Sequence, residues 1–218
     1  MDLIVCWPRD CDYPLFRAFL AAERRRFESV IVVFTDHHGG DISACVREVT
    51  DATFLDSSGH GDWRDNAVNM ALDASGAERV WFTEQDFLIT DPARFWCQEQ
   101  GQPVLGWQEH DERWHPSSLF VDRDLIDRTS RYFGPDPLDH FHRFGQELAA
   151  LSPIARLEGG FEHLQGTSQN HSLIDRGRDD GVFKRERFRE YLAASLAAPV
   201  PLYPEWADKA RREIERAP

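Results

Sequence analysis

The sequence predicts one α/β domain with a mostly parallel central sheet flanked by helices, and further helices at the C-terminus. In the first half of the chain, short apolar runs alternate with helical patterns, which is typical of βαβ units. The chain has 218 residues, of which 41% are hydrophobic, and this is enough for one sizeable core. We therefore predict a domain over residues 1–175, with halves at 1–101 and 102–175, and a helical extension over 176–218 that packs on it.

The first half contains four predicted strands joined by helices. The apolar runs of strand length are residues 3–7, 30–34, 53–55 and 80–83. Pro14 suits the first position of the first helix, and a second, short helix precedes the third strand. Asp62 suits the N-cap of a helix over residues 63–73. Asp91 and Pro92 then begin a fourth helix, which a glycine ends.

Beyond residue 102 the pattern changes to shorter runs separated by polar segments. The predicted strands are 104–107 and 118–121, and the predicted helices are 122–133, 138–151, 185–197 and 205–216. The stretch 158–170 is rich in glycine and polar residues, which favours a loop.

Composition narrows the class of protein. The sequence has no run of about 18 apolar residues and no basic leader before its first strand, so we expect a soluble protein without a membrane partner. Its four cysteines lack the two-residue spacing of zinc sites and do not indicate a disulfide framework. A reducing cytoplasm fits this usage.

The net charge of −13 argues against broad non-specific binding to nucleic acid, because lysine and arginine supply the phosphate contacts. The charge is uneven, however. Residues 1–112 carry 9 basic and 21 acidic side chains, whereas residues 113–218 carry 16 and 17. An anionic partner would favour the second half, where residues 176–189 hold six basic side chains that also fit a solvated helix face.

The most informative motif is Glu84, Gln85, Asp86, which follows the fourth predicted strand. Two carboxylates one residue apart can hold a hard divalent cation, and such cations are commonly shared with substrate phosphates. A solvated strand end is the alternative, since acid-x-acid arises by chance in a chain with 38 Asp and Glu. The preceding apolar strand favours the cation site.

Over residues 2–175 the order of elements resembles that of the nucleotide-sugar-dependent glycosyltransferases of the GT-A fold. The residues that carry the resemblance are Trp7 and Pro8 after the first strand, Asp36 after the second, Arg64, Asp65 and Asn66 at a helix start, and the acid-x-acid (DxD-like) motif. The resemblance implies that residues 1–101 bind a nucleotide-sugar and that residues 102–175 form the acceptor side. It also implies Mn²⁺ or Mg²⁺ as cofactor.

The resemblance further implies a role for each matching position. Asp86 and Glu84 would hold the cation against the donor diphosphate. The family usually has Asp where this chain has Glu84, whose longer side chain would reach the metal through water or contact the donor sugar. The positions implied to contact the donor are Pro8, Asp36, Arg64 and Asp65, together with Glu84. Turn, capping and surface roles are the alternatives for these residues.

A late histidine often approaches the metal or the diphosphate in this family, and His163 matches it. Neutral imidazole is a good metal ligand of intermediate hardness. The nearby glycines Gly159, Gly160 and Gly166 would permit a tight loop around a ligand. A loop histidine without a ligand is the alternative.

An inverting enzyme needs a carboxylate that takes the proton from the acceptor hydroxyl. Asp139 is the candidate base, because it would open a helix after Gly134, as the base of the resembled inverting enzymes does. Asp136 is the alternate, and His140 or His142 could assist. An ordinary N-terminal helix residue is the alternative for Asp139, and a retaining enzyme would need no such base.

These residues predict a metal-dependent glycosyltransferase whose donor, by resemblance, is a UDP-sugar. Its acceptor would be a hydroxyl of a carbohydrate or of a hydroxymethylated DNA base, and Trp107 and Trp114 would be acceptor contacts or core residues. The alternatives are a nucleotidyltransferase and a non-catalytic nucleotide- or carbohydrate-binding module. Nucleotidyltransferases normally have a Gly-rich basic loop after the first strand, and residues 8–12 are not one.

Overall fold

The computed structural model describes residues 1–7, 14–34, 43–48, 51–57, 63–84, 87–108, 114–131, 133, 142–163, 211 and 215. The strands are β1 Asp2–Trp7, β2 Val30–Phe34, β3 Thr53–Asp56, β4 Arg79–Glu84, β5 Phe87–Ile89, β6 Val104–Gln108, β7 Trp114–Asp122, β8 Ala155–Arg156 and β9 Phe161–His163. The α-helices are α1 Pro14–Glu23, α2 Ser43–Arg47, α3 Trp63–Ala74, α4 Pro92–Glu99, α5 Arg123–Asp127 and α6 His142–Leu151.

Within the described ranges, seven strands form the central sheet in the order β3-β2-β1-β4-β7-β6-β8. β1 to β4 run parallel to one another, β7 is antiparallel to β4 and β6, and β8 is parallel to β6. The predicted mostly parallel sheet is confirmed. β5 and β9 form a separate antiparallel ribbon.

The core lies on both faces of the sheet because the apolar runs alternate between them. Leu3 and Val5 of β1 pack in one cluster with side chains of α1, α2 and α4. Ile4, between them, packs in a second cluster with side chains of α3, α5 and α6. Each of these three β1 side chains is buried, which contributes about 1.5–3 kcal/mol per residue. The domain is therefore a three-layer sandwich with its sheet in the middle.

Local signals set most helix boundaries as expected. α1 begins at Pro14, and α3 covers the predicted 63–73, while its proposed N-cap Asp62 lies outside the described residues. The side chain of Asp91 accepts a hydrogen bond of 3.1 Å from the backbone amide of Arg94, so Asp91 caps α4 as predicted. Gly101 follows α4 with a φ of 75°, a conformation that glycine adopts without strain.

The helix predicted over 122–133 is wrong in its length, because α5 ends at Asp127. Beyond α5, side chains supply hydrogen-bond partners for the backbone. The hydroxyl of Thr129 donates to the carbonyl of Ile126 at 2.7 Å and accepts from the amide of Arg131 at 3.1 Å. Arg131 has a φ of 50°, which turns the chain out of a helical path.

Three other predictions differ from the structure in part. β9 lies inside the stretch 158–170 that was predicted as a loop, and β7 begins at Trp114, four residues before the predicted strand 118–121. α6 begins at His142, and residues 138–141 of the predicted helix lie outside the described residues. Of the predicted C-terminal extension, Arg211 and Glu215 are described, and both are helical. In the described part of the chain, every helix is too short or too polar to cross a lipid bilayer.

Candidate functional site

The carboxyl ends of the parallel strands meet at one edge of the sheet, which we call the carboxyl edge. Phe34 of β2 pairs with Trp7 of β1, and Glu84 of β4 pairs with Cys6 of β1, so the three strands end level with one another. In folds of this kind, ligands bind at the carboxyl ends of the strands. Pro8 and Asp36 follow β1 and β2 in the sequence, but both lie outside the described residues.

Glu84 is the described carboxylate of the predicted metal motif, and it is half-buried at the end of β4. Phe82, two residues earlier, packs in the core cluster on the α3 side of the sheet. Because side chains alternate along a strand, Glu84 lies on that same side. Cys6, its neighbour on β1, packs against the same cluster. Asp86 lies outside the described residues.

α3 begins at the carboxyl edge, because it follows β3 and leads back to the start of β4. The backbone of Arg64 and Asp65 forms the first turn of this helix, on the side of the sheet that carries Glu84. The side chains of both residues lie outside the described part. The structure therefore brings these two positions and Glu84 to one side of one edge.

The ribbon of β5 and β9 brings His163 next to the acidic motif. β5 begins at Phe87, the residue after Asp86, and Phe87 pairs directly with His163 of β9. Residues opposite each other in an antiparallel pair have Cα atoms about 4.5–5.5 Å apart. The backbone of His163 therefore lies opposite Phe87, the residue that follows Asp86 in the sequence. The side chain of His163 lies outside the described residues.

Aromatic side chains fix the ribbon on the main domain. Phe161 stacks on Phe87, with ring centroids 4.6 Å apart and an interplanar angle of 24°. Trp107 of β6 contacts both rings, at 5.5 Å and 6.1 Å between centroids. These contacts support the core alternative for Trp107, which is half-buried. Residue 114 lies in β7, and its side chain is outside the described part.

Two glycines before β9 let the chain approach the first turn of α4. The carbonyl of Gly160 accepts hydrogen bonds from the amides of Thr90 and Asp91, at 2.9 Å and 3.0 Å. Gly160 has a φ of 80°, and a Cβ there would lie 2.9 Å from the backbone nitrogen of Phe95. The sequence had suggested that these glycines curve around a ligand. In the structure Gly159 and Gly160 serve close packing, while Gly166 lies outside the described residues.

The segment with the candidate base also connects to the Glu84 side of the sheet. Asp136, Asp139 and His140 lie outside the described residues, as does the side chain of His142. The flanking rings of Phe133 and Phe144 contact each other at 4.4 Å between centroids. Both rings also contact Phe82, at 5.8 Å and 6.1 Å. Phe133 and Phe144, which flank segment 134–141 in the sequence, therefore meet beside the strand that ends at Glu84.

A distinct electrostatic feature lies at the opposite edge of the sheet, on Asp2. Burial raises the pKa of Asp2, but hydrogen bonds from Ser75 and Ser29 outweigh burial and lower it below the ordinary aspartate value. The hydroxyl of Ser75 donates at 2.7 Å, and the amide of Ser29 donates at 3.0 Å. Sequence reasoning did not single out Asp2. In the sequence, the signal that could have identified it is a charged residue at the start of the first apolar strand. Its role is structural.

The donor chemistry of the predicted metal ligands suits Mn²⁺ or Mg²⁺, since carboxylates are preferred by both and imidazole is also a manganese ligand. Among the described side chains, no group of three or more His, Cys, Asp or Glu is placed to hold a metal ion. Glu84 is the one predicted ligand whose side chain is described. The donor types of Glu84, Asp86 and His163 fit such an ion.

No protein-family model and no curated protein sequence matches this chain. Solved structures do. The mannosyltransferase PcManGT from Pyrobaculum calidifontis, in complex with GDP-Man and Mn²⁺, is 15% identical with a TM-score of 0.56, over 98% of this chain and 68% of that one. TarS from S. aureus is 16% identical with a TM-score of 0.55, over 98% of this chain and 42% of its own.

Glucosyl-3-phosphoglycerate synthase from Mycobacterium tuberculosis, in complex with Mn²⁺, UDP and glucosyl-3-phosphoglycerate, is 10% identical with a TM-score of 0.52. The match covers 74% of this chain and 71% of the synthase. At these identities the likeness establishes the fold alone. The chain has the GT-A fold of nucleotide-sugar-dependent glycosyltransferases.

Proposed function

We propose that this protein is a metal-dependent glycosyltransferase that moves a sugar from a nucleotide-sugar to an acceptor hydroxyl. The observation that carries the proposal is the pairing of Phe87 with His163 beside the acid-x-acid motif, at the carboxyl edge of a GT-A fold. His163 is distant in sequence from Glu84 and Asp86, and the pairing of β5 with β9 supports a shared role at this edge.

The ligands in this proposal are Asp86, Glu84 and His163, which would hold Mn²⁺ or Mg²⁺. A bound divalent cation neutralises the charge that develops on the leaving nucleoside diphosphate. Arg64 and Asp65 lie in the first turn of α3, and amides at a helix start favour a phosphate group. Pro8 and Asp36 would complete the nucleoside contacts. These roles are the ones that the resemblance to GT-A glycosyltransferases implies for the matching positions.

Asp139 is the proposed base for an inverting reaction. It would accept the proton of the acceptor hydroxyl as the oxygen attacks the anomeric carbon of the donor, while the nucleoside diphosphate departs with the bonding electrons. The contacts of Phe133 and Phe144 with Phe82 support this role, because they bring both ends of its segment to the Glu84 side of the sheet.

For the donor we propose a UDP-sugar. The synthase from M. tuberculosis holds UDP with Mn²⁺, and the mannosyltransferase holds GDP-Man with Mn²⁺, so a GDP-sugar is the competing donor. For the acceptor we favour a carbohydrate hydroxyl over a hydroxymethylated DNA base, because a net charge of −13 opposes binding to DNA. The cysteine spacing supports action in a reducing compartment, and we propose the cytoplasm.

The test is a transfer assay with purified protein, a panel of UDP- and GDP-sugars and Mn²⁺. Acceptors are free glycans and duplex DNA that contains hydroxymethylcytosine, and the product is identified by mass spectrometry. We expect metal-dependent release of one nucleoside diphosphate that Asp86→Asn abolishes. Asp91→Asn is the matched control, since asparagine caps a helix as well as aspartate does.

The same assay separates the alternatives. Transfer to DNA would fall steeply with salt, by roughly one unit of log slope per phosphate contacted, whereas transfer to a glycan would not. Release of pyrophosphate from a nucleoside triphosphate and a sugar phosphate would indicate a nucleotidyltransferase. Binding of a nucleotide-sugar without turnover, in wild type and Asp86→Asn alike, would indicate a binding module. Either result would overturn the proposed reaction.

A further inference from the structure

The connection between β8 and β9, residues 157–160, is held by hydrogen bonds along its whole length, and we call it the β9 connection. At its start, the backbone amide of Leu157 donates to the carbonyl of Gly106 on β6 at 2.7 Å. At its end, the carbonyl of Gly160 accepts from the two backbone amides that precede α4. Between these two anchors, the side chain of Gln98 on α4 binds the connection.

Gln98 uses both polar atoms of its side-chain amide. Oε1 accepts a hydrogen bond of 2.6 Å from the backbone amide of Glu158. Nε2 donates to the carbonyl of Arg94, one turn earlier on α4, at 2.8 Å, and to the carbonyl of Gly159 at 3.3 Å. The bond to Arg94 orients the side-chain amide on its own helix. The other two bonds therefore hold the β9 connection at one place along α4.

The place of the β9 connection along α4 affects the register of the ribbon. β5 and β9 have three residues each, and two such short strands specify their register weakly by themselves. A slip of one residue would place Glu162 instead of His163 opposite Phe87, and it would reverse the face of the ribbon on which each side chain lies. β9 begins directly after the β9 connection. The bonds of Gln98 therefore help to determine which residue of β9 pairs with Phe87, together with the stacking of Phe161 on that ring.

We propose that Gln98 is a positioning residue for the metal site, because it sets the register of β9 on β5 and thereby keeps His163 beside the acidic motif. This inference rests on the proposed function, in which His163 is a ligand of the cation. Gln98 acts through the backbone of β9 and does not contact the cation. Replacing a residue that orients a metal ligand typically lowers metal affinity by about 10- to 100-fold. We expect an effect at the lower end, because Gln98 acts through a strand.

The test uses Gln98→Met, which keeps the length and helix propensity of the side chain but removes both of its hydrogen bonds to the β9 connection. Mn²⁺ is titrated into the protein with UDP, or with GDP if wild type binds GDP instead, and free Mn²⁺ is followed by electron paramagnetic resonance. We expect the Kd for Mn²⁺ to rise about tenfold in Gln98→Met. Ser75→Ala removes a hydroxyl bond of 2.7 Å to Asp2 at the opposite edge of the sheet, and this control for lost stability should leave the Kd unchanged. An unchanged Kd in Gln98→Met would overturn the inference.

A double-mutant cycle with His163→Ala shows whether Gln98 acts through the histidine. We expect Gln98→Met to weaken Mn²⁺ binding in the wild-type background and to have no further effect in His163→Ala, because the positioned ligand is then absent. A general loss of structure would instead weaken binding equally in both backgrounds, and that result would overturn the inference. An unchanged Kd in His163→Ala alone would overturn it as well, while leaving the proposed transferase reaction in place.

Hydrogen exchange tests the hold on the ribbon without metal or turnover. Strands of three residues exchange through local opening, so we expect the amides of β5 and β9 to exchange faster in Gln98→Met than in wild type. In Ser75→Ala they should exchange at the wild-type rate. Wild-type exchange in Gln98→Met would overturn the inference. Failure of wild type to bind either nucleotide with Mn²⁺ would instead refute the proposed function, and exchange alone would then decide whether Gln98 holds β9 in register.

Discussion

Replacing Gly160 by alanine should damage the candidate site from a distance, because it displaces β9. Gly160 has a φ of 80°, and its added Cβ would meet the first backbone hydrogen bond of α4. It would lie 2.9 Å from the nitrogen of Phe95 and 3.0 Å from the carbonyl oxygen of Asp91. Both atoms belong to the backbone and have little freedom to move, so the chain at residue 160 must shift instead.

The loss of free energy of unfolding in Gly160→Ala has two parts. The left-handed conformation costs alanine about 1 kcal/mol or more. The shift also weakens the two hydrogen bonds that the carbonyl of Gly160 accepts from the amides of Thr90 and Asp91. Each of these contributes about 0.5–1.5 kcal/mol. We expect Gly160→Ala to lower the free energy of unfolding by about 2–4 kcal/mol in total.

Gly101→Ala is the matched control at the other end of α4. Gly101 has a φ of 75°, but a Cβ there would meet nothing within 4 Å, so this substitution should cost the backbone strain alone, about 1 kcal/mol. Denaturant unfolding of the three proteins measures both costs. Calorimetry should also show weaker Mn²⁺-dependent nucleotide binding in Gly160→Ala but not in Gly101→Ala. Equal destabilisation by the two substitutions would refute the close-approach argument.

Two further predictions concern Cys6 at the carboxyl edge and Asp2 at the opposite edge of the sheet. Cys6 is partly buried beside Glu84, so a bound nucleotide with Mn²⁺ should slow its alkylation further, as followed by mass spectrometry. Alkylation of the exposed Cys97 should not change, and equal rates at Cys6 with and without nucleotide would contradict the placement of the donor. The lowered pKa of Asp2 means that its carboxylate stabilises the fold above pH about 4, and that this stabilisation is lost as pH falls through the folded-state pKa. Ser75→Ala should therefore cost about 1.5–3 kcal/mol at pH 7, and this cost should shrink as pH falls through the folded-state pKa in denaturant unfolding; a pH-independent difference would contradict the assignment.

Local pattern was sufficient to predict the parallel part of the sheet. The strand that ends at Glu84 is apolar on both faces, and the alternation of strands with helices determines that such strands run parallel. The cap at Asp91 and the end of α4 near Gly101 also follow from single residues with a known local effect.

The missed elements depend on contacts between distant residues. β5 and β9 have three residues each, too few for a periodic pattern, and they exist because Phe161 stacks on Phe87 and Gly160 hydrogen-bonds to Thr90 and Asp91. The end of α5 also depends on a contact between distant residues. Its apolar pattern continues toward Phe133, but the carboxylate of Glu147 takes the amide of Ser130, a bond that no local pattern reveals.

The candidate site also has features that the sequence predicts and features that it does not. The acidic motif was identifiable because it follows an apolar strand, and His163 was found through the resemblance. Its position opposite Phe87 could not be derived from the sequence, since it depends on the register of β5 with β9. Gln98 was missed altogether, because a glutamine within a helical pattern is ordinarily solvated and its bonds to Glu158 and Gly159 are a property of the tertiary structure.

The most direct test of the proposed function is calorimetric binding of UDP, GDP and their sugar conjugates to the wild-type protein and to Asp86→Asn, with and without Mn²⁺. We expect one diphosphate to bind tightly only with Mn²⁺, and we expect Asp86→Asn to abolish this binding and Asp91→Asn to retain it. Binding of no nucleotide by the wild-type protein, or binding that neither Mn²⁺ nor Asp86 affects, would contradict the proposed function.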